Sequence, residues 1–177
     1  MLQDTMYDFY IPMFDRITSC IHVIGTSFVT DTACSSALFA FHCAVKSILR
    51  GEIEAAVVAG VNLCLKPEMS LQFQKLGATS DEGFCRTFDA DGITYPSYEM
   101  QKRLMQEVYQ ECKLSPSQIS YVEAHGTGTI VGDPVEVSGI ADILCYGREE
   151  PLWIGSVKSN IGHTESSSGN ICLFNIF

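Results

Sequence analysis

One cysteine occupies a position where its thiol could act as a nucleophile. Cys34 lies in the stretch D-T-A-C-S-S at 31–36, between a predicted strand and the start of a predicted helix. The first backbone N–H groups of a helix have no partner within the helix, and the helix dipole places partial positive charge there. Both features favour the reactive thiolate, and the same N–H groups could hold a developing oxyanion. The alternative is a small buried residue that only packs.

Two of the four histidines lie in loops flanked by glycine. His125 follows a short predicted strand in E-A-H-G-T-G-T at 123–129, and His163 lies in G-S-V-K-S-N-I-G-H-T-E at 155–165. The neighbouring glycines allow the backbone to turn sharply and to approach a ligand closely. A histidine at the end of a strand can equally be a hydrogen-bonded structural residue, so the pattern alone does not assign a role.

Lys158 and Glu165 accompany His163 within the same eight-residue stretch. They could form an ordinary solvated ion pair, or they could support a site. One cysteine and two loop histidines fit a Cys–His thiol hydrolase, and they also fit acyl transfer combined with carbanion chemistry. Residue types alone leave both mechanisms open.

Strands and helices alternate along the chain, which predicts an α/β fold. Met100, Leu104 and Val108 recur every four residues and predict an amphipathic helix behind an N-cap at Ser97. The predicted elements are strands over 21–30, 55–65, 121–124 and 152–157, and helices over 35–50, 97–112 and from Pro134 onward.

Composition excludes several classes of function. The net charge is −10, which disfavours nucleic acid and anionic membranes as partners, since both require a basic face. Charged residues are 18% of the chain, below a typical share of about 25%, which predicts either a large buried surface or a surface covered by a missing part or a partner. The eight cysteines show no C-x-x-C pair and no zinc-finger spacing, which indicates a reducing, cytoplasmic setting. No signal peptide and no apolar run of about 18 residues is present, so no membrane span is expected.

Three sequence blocks, taken in order, resemble the signature blocks of β-ketoacyl synthases, the condensing enzymes of fatty acid and polyketide synthesis. They are D-T-A-C-S-S-A at 31–37, E-A-H-G-T-G-T at 123–129 followed by G-D-P-V-E at 132–136, and G-S-V-K-S-N-I-G-H-T-E at 155–165. Intervening stretches at 63–67, 70–73 and 92–97 look most like the animal fatty acid synthase branch, although the blocks are shared with polyketide synthases.

The resemblance implies a role for each singled-out residue. Cys34 would accept the acyl chain as a thioester, and His125 and His163 would hydrogen-bond the carbonyl of the malonyl thioester. Lys158 would support the site electrostatically, with Glu165 as its ion-pair partner. The family needs no metal and no directly bound cofactor. Its acyl and malonyl groups arrive on the phosphopantetheine arm of an acyl carrier protein.

The resemblance also implies an incomplete thiolase-like fold, with layers in the order α-β-α-β-α. Residues 1–177 would form part of one domain, with about 1–92 from its N-terminal half and about 93–177 from its C-terminal half. A family segment is missing near 92–93, which predicts an internal deletion. The intact domain is expected to be a homodimer, and a non-catalytic remnant is the main alternative to an active condensing enzyme.

Overall fold

The computed structural model describes residues 25–62, 67–75, 85, 87–88, 98–129 and 132–176. Its helices are α1 (Ser36–Leu49), α2 (Pro67–Lys75), α3 (Tyr98–Cys112), α4 (Gly132–Ile140), α5 (Lys158–Ile161) and α6 (Ser168–Ile176). Its strands are β1 (Tyr121–Glu123) and β2 (Trp153–Gly155). Short 3-10 turns cover Pro116–Gln118 and Glu165–Ser167, and a π-helical turn over Ala141–Cys145 continues α4.

The two strands pair in parallel, with Val122 opposite Ile154 at the centre of the register. Parallel pairing requires a crossover, and α4 with its π-helical extension lies in the connection between the strands. Ala124, Ile140 and Leu144 form a buried hydrophobic cluster within this unit. The described part of the chain is therefore organised around one β-α-β unit.

Local sequence explains where several elements begin and end. Gly51 follows α1 with a φ of +70°, a conformation that stops a helix and that glycine adopts without strain. Ser115 caps the first 3-10 turn in a reciprocal capping box with Gln118, and Pro116 occupies the first position of the turn. The predicted helices over 35–50 and 97–112 and the strands over 121–124 and 152–157 are confirmed in the residues described.

Two other predicted strands are wrong where they can be compared with the structure. Residues 25–30 and 55–62 belong to no strand, and the remainder of both predictions, 21–24 and 63–65, lies outside the described residues. A strand needs a hydrogen-bonded neighbour, and within the described ranges neither segment belongs to the two-stranded ladder. Apolar, β-branched sequence predicts a tendency to extend, but it does not supply the partner.

Helix α3 presents an apolar stripe to solvent. Met100, Leu104 and Val108 are 64%, 61% and 47% exposed, whereas Met105 and Tyr109 pack against the core. The prediction of an amphipathic helix is correct, but a second apolar stripe, one residue further along, is the one that contacts the core. Large exposed hydrophobic patches indicate a surface that another element or molecule normally covers. Among the described residues, no helix combines the length and the apolar composition needed to cross a bilayer.

The contrast between the two stripes predicts how substitutions divide between stability and solubility. Leu104→Gln should change the free energy of unfolding by less than about 0.5 kcal/mol while reducing aggregation, because the side chain is already exposed. Leu144→Ala should cost about 2–5 kcal/mol, because Leu144 is only 1% exposed. Urea unfolding and light scattering of both variants test this. Equal losses of stability in the two would show that the α3 stripe is buried in solution.

Candidate active site

The backbone around Cys34 forms a tight turn that leads directly into α1. Ala33 adopts the left-handed conformation with a φ of +56°, which costs a non-glycine residue about 1 kcal/mol or more. Ser36 compensates by accepting the Thr32 N–H at 2.9 Å and donating to the Ala33 carbonyl at 2.6 Å. The Asp31 carboxylate accepts the Ala33 N–H at 2.9 Å. This network places Cys34, which is partly buried, two residues before the first turn of α1.

Cys34 meets both loop histidines in space. The Cys34 sulfur and one ring nitrogen from each of His125 and His163 all lie within 4.8 Å of one another. The two imidazole rings meet edge to face, with centroids 5.6 Å apart and planes at 83°. Three segments far apart in sequence thus converge, and the three residues singled out from the sequence form one cluster.

Two carboxylates on α4 hold the loop that carries His125. Glu136 accepts the backbone N–H groups of His125 and Gly126 at 2.7 and 3.0 Å, one on each oxygen. Asp133 is 2% exposed and accepts the Gly128 N–H at 3.2 Å. Both acids lie in the G-D-P-V-E block at 132–136, for which the resemblance predicted no role. The position of these two acids directly after the glycine-rich loop is the sequence feature that could have indicated this role.

Gly126 is required by both conformation and space. Its φ is +48°, and a Cβ at this position would lie 2.6 Å from the side chains of Ser156 and Thr87. The Thr87 hydroxyl donates to the Gly126 carbonyl at 2.6 Å, so the close approach is also a hydrogen bond. The loop after His125 is consequently pressed against the segment that precedes Lys158.

The ring of His163 has a fixed orientation and a fixed tautomer. Its Nδ1 accepts the backbone N–H of Glu165 at 2.8 Å and lies 3.2 Å from the Ser168 hydroxyl. An N–H donor at this distance requires Nδ1 to be unprotonated, so the neutral ring carries its proton on Nε2. Glu165 reaches this geometry through a left-handed backbone with a φ of +53°. Nε2–H is therefore the ring group of His163 that can donate a hydrogen bond.

Lys158 is buried, with 2% of its surface exposed. The expected ion pair with Glu165 is wrong: among the described residues, the Lys158 ammonium contacts the Cys172 sulfur at 3.7 Å and forms no salt bridge with Glu165. Glu165 instead contributes its backbone N–H to His163, and burial raises the pKa of its carboxyl group. Adjacency in sequence did not translate into pairing because Lys158 starts one helix and Glu165 lies in the turn before another.

Burial and the charge of Lys158 keep both imidazoles neutral. Burial is the main cause that lowers the pKa of His163 to about 4, and the charges of Lys158 and His125 lower it further. The pKa of His125 is lowered first by burial and then by Lys158, with partial compensation from Asp133. His125 is an exposed residue as a whole, yet enough protein surrounds its ring to disfavour protonation. At neutral pH the cluster thus offers two neutral rings.

Glu123 connects the loop that carries His125 to the segment that begins at Val157, a role not predicted from the sequence. Its carboxylate accepts the backbone N–H of Val157 at 2.7 Å, the hydroxyl of Tyr121 at 2.5 Å and the side-chain amide of Asn175 at 2.9 Å. The hydrogen bond to Glu123 is the main cause that raises the pKa of Tyr121 to about 12. This carboxylate joins β1 to the start of α5 and to α6.

Helices α1 and α6 approach closely at a glycine. A Cβ on Gly169 would lie 2.3 Å from Cγ of Leu38, so only glycine fits there without a shift of one helix. Leu38 follows Cys34 by one helical turn, and Gly169 follows His163 by six residues. The contact therefore sets the distance between the elements that carry the thiol and the second imidazole.

Comparison with known proteins relates the chain to a single family. The model of the β-ketoacyl synthase N-terminal domain matches residues 14–95, and the model of the C-terminal domain matches residues 82–177. A fatty acid synthase from Anser anser anser is 42% identical over 196 residues, which cover 88% of this chain and 56% of that protein. A highly reducing polyketide synthase from Hypocrea virens is 39% identical over 203 residues, covering 89% of this chain and 8% of that protein.

Solved structures agree in fold. The ketosynthase from module 6 of the bacillaene synthase of Bacillus subtilis 168 superposes with a TM-score of 0.85 at 30% identity, over 92% of this chain and 37% of that one. An oxazolomycin ketosynthase domain from Streptomyces albus JA3453 gives a TM-score of 0.83 at 32% identity.

The chain spans about half the length of the fatty acid synthase from Anser anser anser. Both sequence alignments are longer than the 177 residues of this chain, so the relatives contain positions without a counterpart here.

The lowered pKa of His163 predicts a specific dependence of stability on pH. A histidine whose pKa falls from 6.5 to about 4 on folding favours the folded state fully above pH 6.5, and this contribution decreases as the pH falls toward 4. The free energy of unfolding of the wild type should therefore fall more steeply between pH 6.5 and 4 than that of His163→Gln, which cannot be protonated. Denaturant titrations at several pH values measure both slopes. Parallel slopes would contradict the burial of this ring.

Proposed function

Because the chain belongs to the β-ketoacyl synthase family, we propose that its site transfers an acyl group to Cys34 and then condenses it with a malonyl thioester. The observation that carries the proposal is the convergence of the Cys34 sulfur with nitrogens of His125 and His163 within 4.8 Å. One nucleophile and two imidazoles in one cluster are what the two half-reactions require.

In the first half-reaction, the Cys34 thiolate attacks the carbonyl carbon of an acyl thioester. A new carbon–sulfur bond forms at Cys34 while the bond to the carrier sulfur breaks, and the carrier leaves as a free thiol after taking a proton. The N-terminus of α1 lies two residues beyond Cys34. Its partial positive charge favours the negative oxygen that develops on the carbonyl.

In the second half-reaction, a malonyl thioester loses carbon dioxide and becomes an enolate. His125 and His163 stabilise the negative enolate oxygen by donating hydrogen bonds to it. The enolate carbon attacks the acyl carbonyl on Cys34, the carbon–sulfur bond breaks, and the thiolate of Cys34 is restored. The product is a β-ketoacyl thioester that is two carbons longer.

The tautomer of His163 favours this role over that of a general base. Its Nδ1 is occupied as an acceptor of the Glu165 N–H, so Nε2 carries a proton that can be donated to an oxyanion. A Cys–His hydrolase needs an imidazole nitrogen free to take the proton of the thiol. Neutral rings are also suitable donors, because the low pKa of both histidines keeps them from entering the reaction as charged acids.

Substrates and partners follow from the family. We propose that acyl and malonyl groups reach the site on the phosphopantetheine arm of an acyl carrier protein, that the chemistry needs no metal, and that the intact domain is a homodimer. Fatty acid synthesis is preferred over polyketide synthesis, because the fatty acid synthase relative is 42% identical and the polyketide synthases are 34% to 39% identical. A reducing cytoplasm suits a reaction that requires a free thiol.

The main alternative is a remnant that has lost activity. We propose that the chain carries an internal deletion near 92–93, between about 1–92 from the N-terminal half and about 93–177 from the C-terminal half of the domain. Alignments longer than the chain and the exposed α3 stripe of Met100, Leu104 and Val108 both support missing neighbours. The residues of the cluster remain in place despite this loss, which favours retained acyl transfer over complete inactivity.

Acylation of Cys34 is the first test. After incubation with an acyl thioester, the intact mass of the wild-type chain should increase by one acyl group, and Cys34→Ala should show no such increase. Cys112→Ala is a matched control, because Cys112 is an exposed thiol that belongs to no site; it should be acylated like the wild type. Equal labelling of the wild type and Cys34→Ala would eliminate the proposed nucleophile.

Decarboxylation separates the roles of the thiol and the imidazoles. His163→Ala should still accept the acyl group on Cys34 but should release carbon dioxide from a malonyl thioester about 10²–10³-fold more slowly, as expected for the loss of one oxyanion donor. Released carbon dioxide and the β-ketoacyl product are measured together. Release of free acid from the acyl enzyme, with no β-ketoacyl product, would instead support a hydrolase.

A further inference from the structure

The cluster at Cys34 has a second chemical property that condensation does not use. A thiolate and two neutral imidazoles are the ligands that borderline-soft divalent cations such as Zn²⁺ prefer. The Cys34 sulfur and nitrogens of His125 and His163 lie within 4.8 Å of one another, although they come from three separate segments. No other group of three cysteine, histidine or acidic residues with this spacing occurs in the part of the chain that the structure describes.

The spacing is close to that of a tetrahedral zinc site. Bonds of about 2.0–2.3 Å to nitrogen and sulfur place neighbouring ligand atoms ~3.3–3.6 Å apart. A separation of 4.8 Å therefore has to close by about 1.2–1.5 Å. His125 is an exposed residue although protein partly surrounds its ring, so this closure requires the ring to rotate toward Cys34 and His163.

His163 already has the outer partner that a metal-bound imidazole needs. Coordination through Nε2 moves the ring proton to Nδ1, and a ligating histidine usually donates that proton to a nearby acceptor. The Ser168 hydroxyl lies 3.2 Å from Nδ1 and is buried, with 3% of the residue exposed. The cost is one hydrogen bond, because the Glu165 N–H loses its acceptor when Nδ1 is protonated.

Lys158 opposes the binding of a metal ion at the cluster. It is buried, and its positive charge acts on the rings of both histidines. A second cation in the same place is therefore opposed by an ammonium group that forms no salt bridge with any carboxylate of the described residues. The affinity of the cluster for a metal ion therefore depends on the balance between the favourable bonds to three ligands and the repulsion from Lys158.

We propose that Cys34, His125 and His163 bind Zn²⁺ as an inhibitory ion, with Lys158 limiting the affinity. Cys34 loses its thiol proton to solvent, a sulfur–zinc bond forms, and water occupies the fourth position. The occupied thiolate cannot attack an acyl thioester. Binding of the ion is independent of the proposed function, while inhibition rests on it.

Cobalt substitution tests the site in the full 177-residue chain. Co²⁺ titration should produce a thiolate-to-cobalt absorption band that is lost in Cys34→Ser and in His163→Ala and is retained in Cys112→Ser. Ser168→Ala should weaken binding about tenfold or more, as expected when the outer partner of a ligating histidine is removed. Lys158→Met should strengthen binding, which is the opposite of what a merely unfolded variant would do. A band that is absent from the wild type, or that survives Cys34→Ser, overturns the proposal.

Alkylation by iodoacetamide tests where the ion binds and keeps the two proposals separate. Zn²⁺ should slow alkylation of Cys34, located by peptide mass, and should leave exposed Cys112 unprotected. Equal rates at Cys34 with and without Zn²⁺ overturn the metal site. Protection of Cys34 in a chain that accepts no acyl group would support the metal site and contradict the proposed function. Acylation of Cys34 without protection by Zn²⁺ would support the proposed function and contradict the metal site.

Discussion

The hydrogen bonds from the backbone N–H groups of His125 and Gly126 to the Glu136 carboxylate are the contact on which the geometry of the site depends. They fix a glycine-rich turn that has no regular secondary structure of its own. Hydrogen bonds to a charged acceptor are about twice as strong as neutral ones, and each oxygen here receives one. Glu123 makes the equivalent connection to Val157 at the start of α5. Three acids of the signature blocks, Glu123, Asp133 and Glu136, thus accept hydrogen bonds from backbone N–H groups of the site loops.

The protonation states of the two histidines also depend on the residues that surround the cluster. Burial and the Lys158 ammonium favour neutral rings, and the Glu165 N–H selects which nitrogen of His163 carries the proton. Protonation state and tautomer are therefore determined by separate contacts. One consequence is that a single substitution could leave a ring neutral while turning its donor nitrogen into an acceptor.

The sequence predicted the elements with strong local signals and the residues within the signature blocks. Helix α1, helix α3 and both strands of the β-α-β unit follow from periodicity and turn residues, whereas the segment 55–62 does not form the expected strand because a strand depends on a distant partner. The predicted Lys158–Glu165 ion pair is wrong for a related reason, because proximity in sequence does not specify the direction in which a side chain points. The resemblance to a family assigned roles to Cys34 and the two histidines, and residue types alone had left two mechanisms open.

The exposed stripe of Met100, Leu104 and Val108 also has consequences for the life of the chain in a cell. Chaperones and proteases that survey newly made proteins recognise apolar side chains that remain accessible after folding. A chain with such a surface competes with unfolded clients for the same quality-control machinery. As long as α3 stays uncovered, the chain remains a target of this machinery, and its steady-state level falls as the rate of degradation rises.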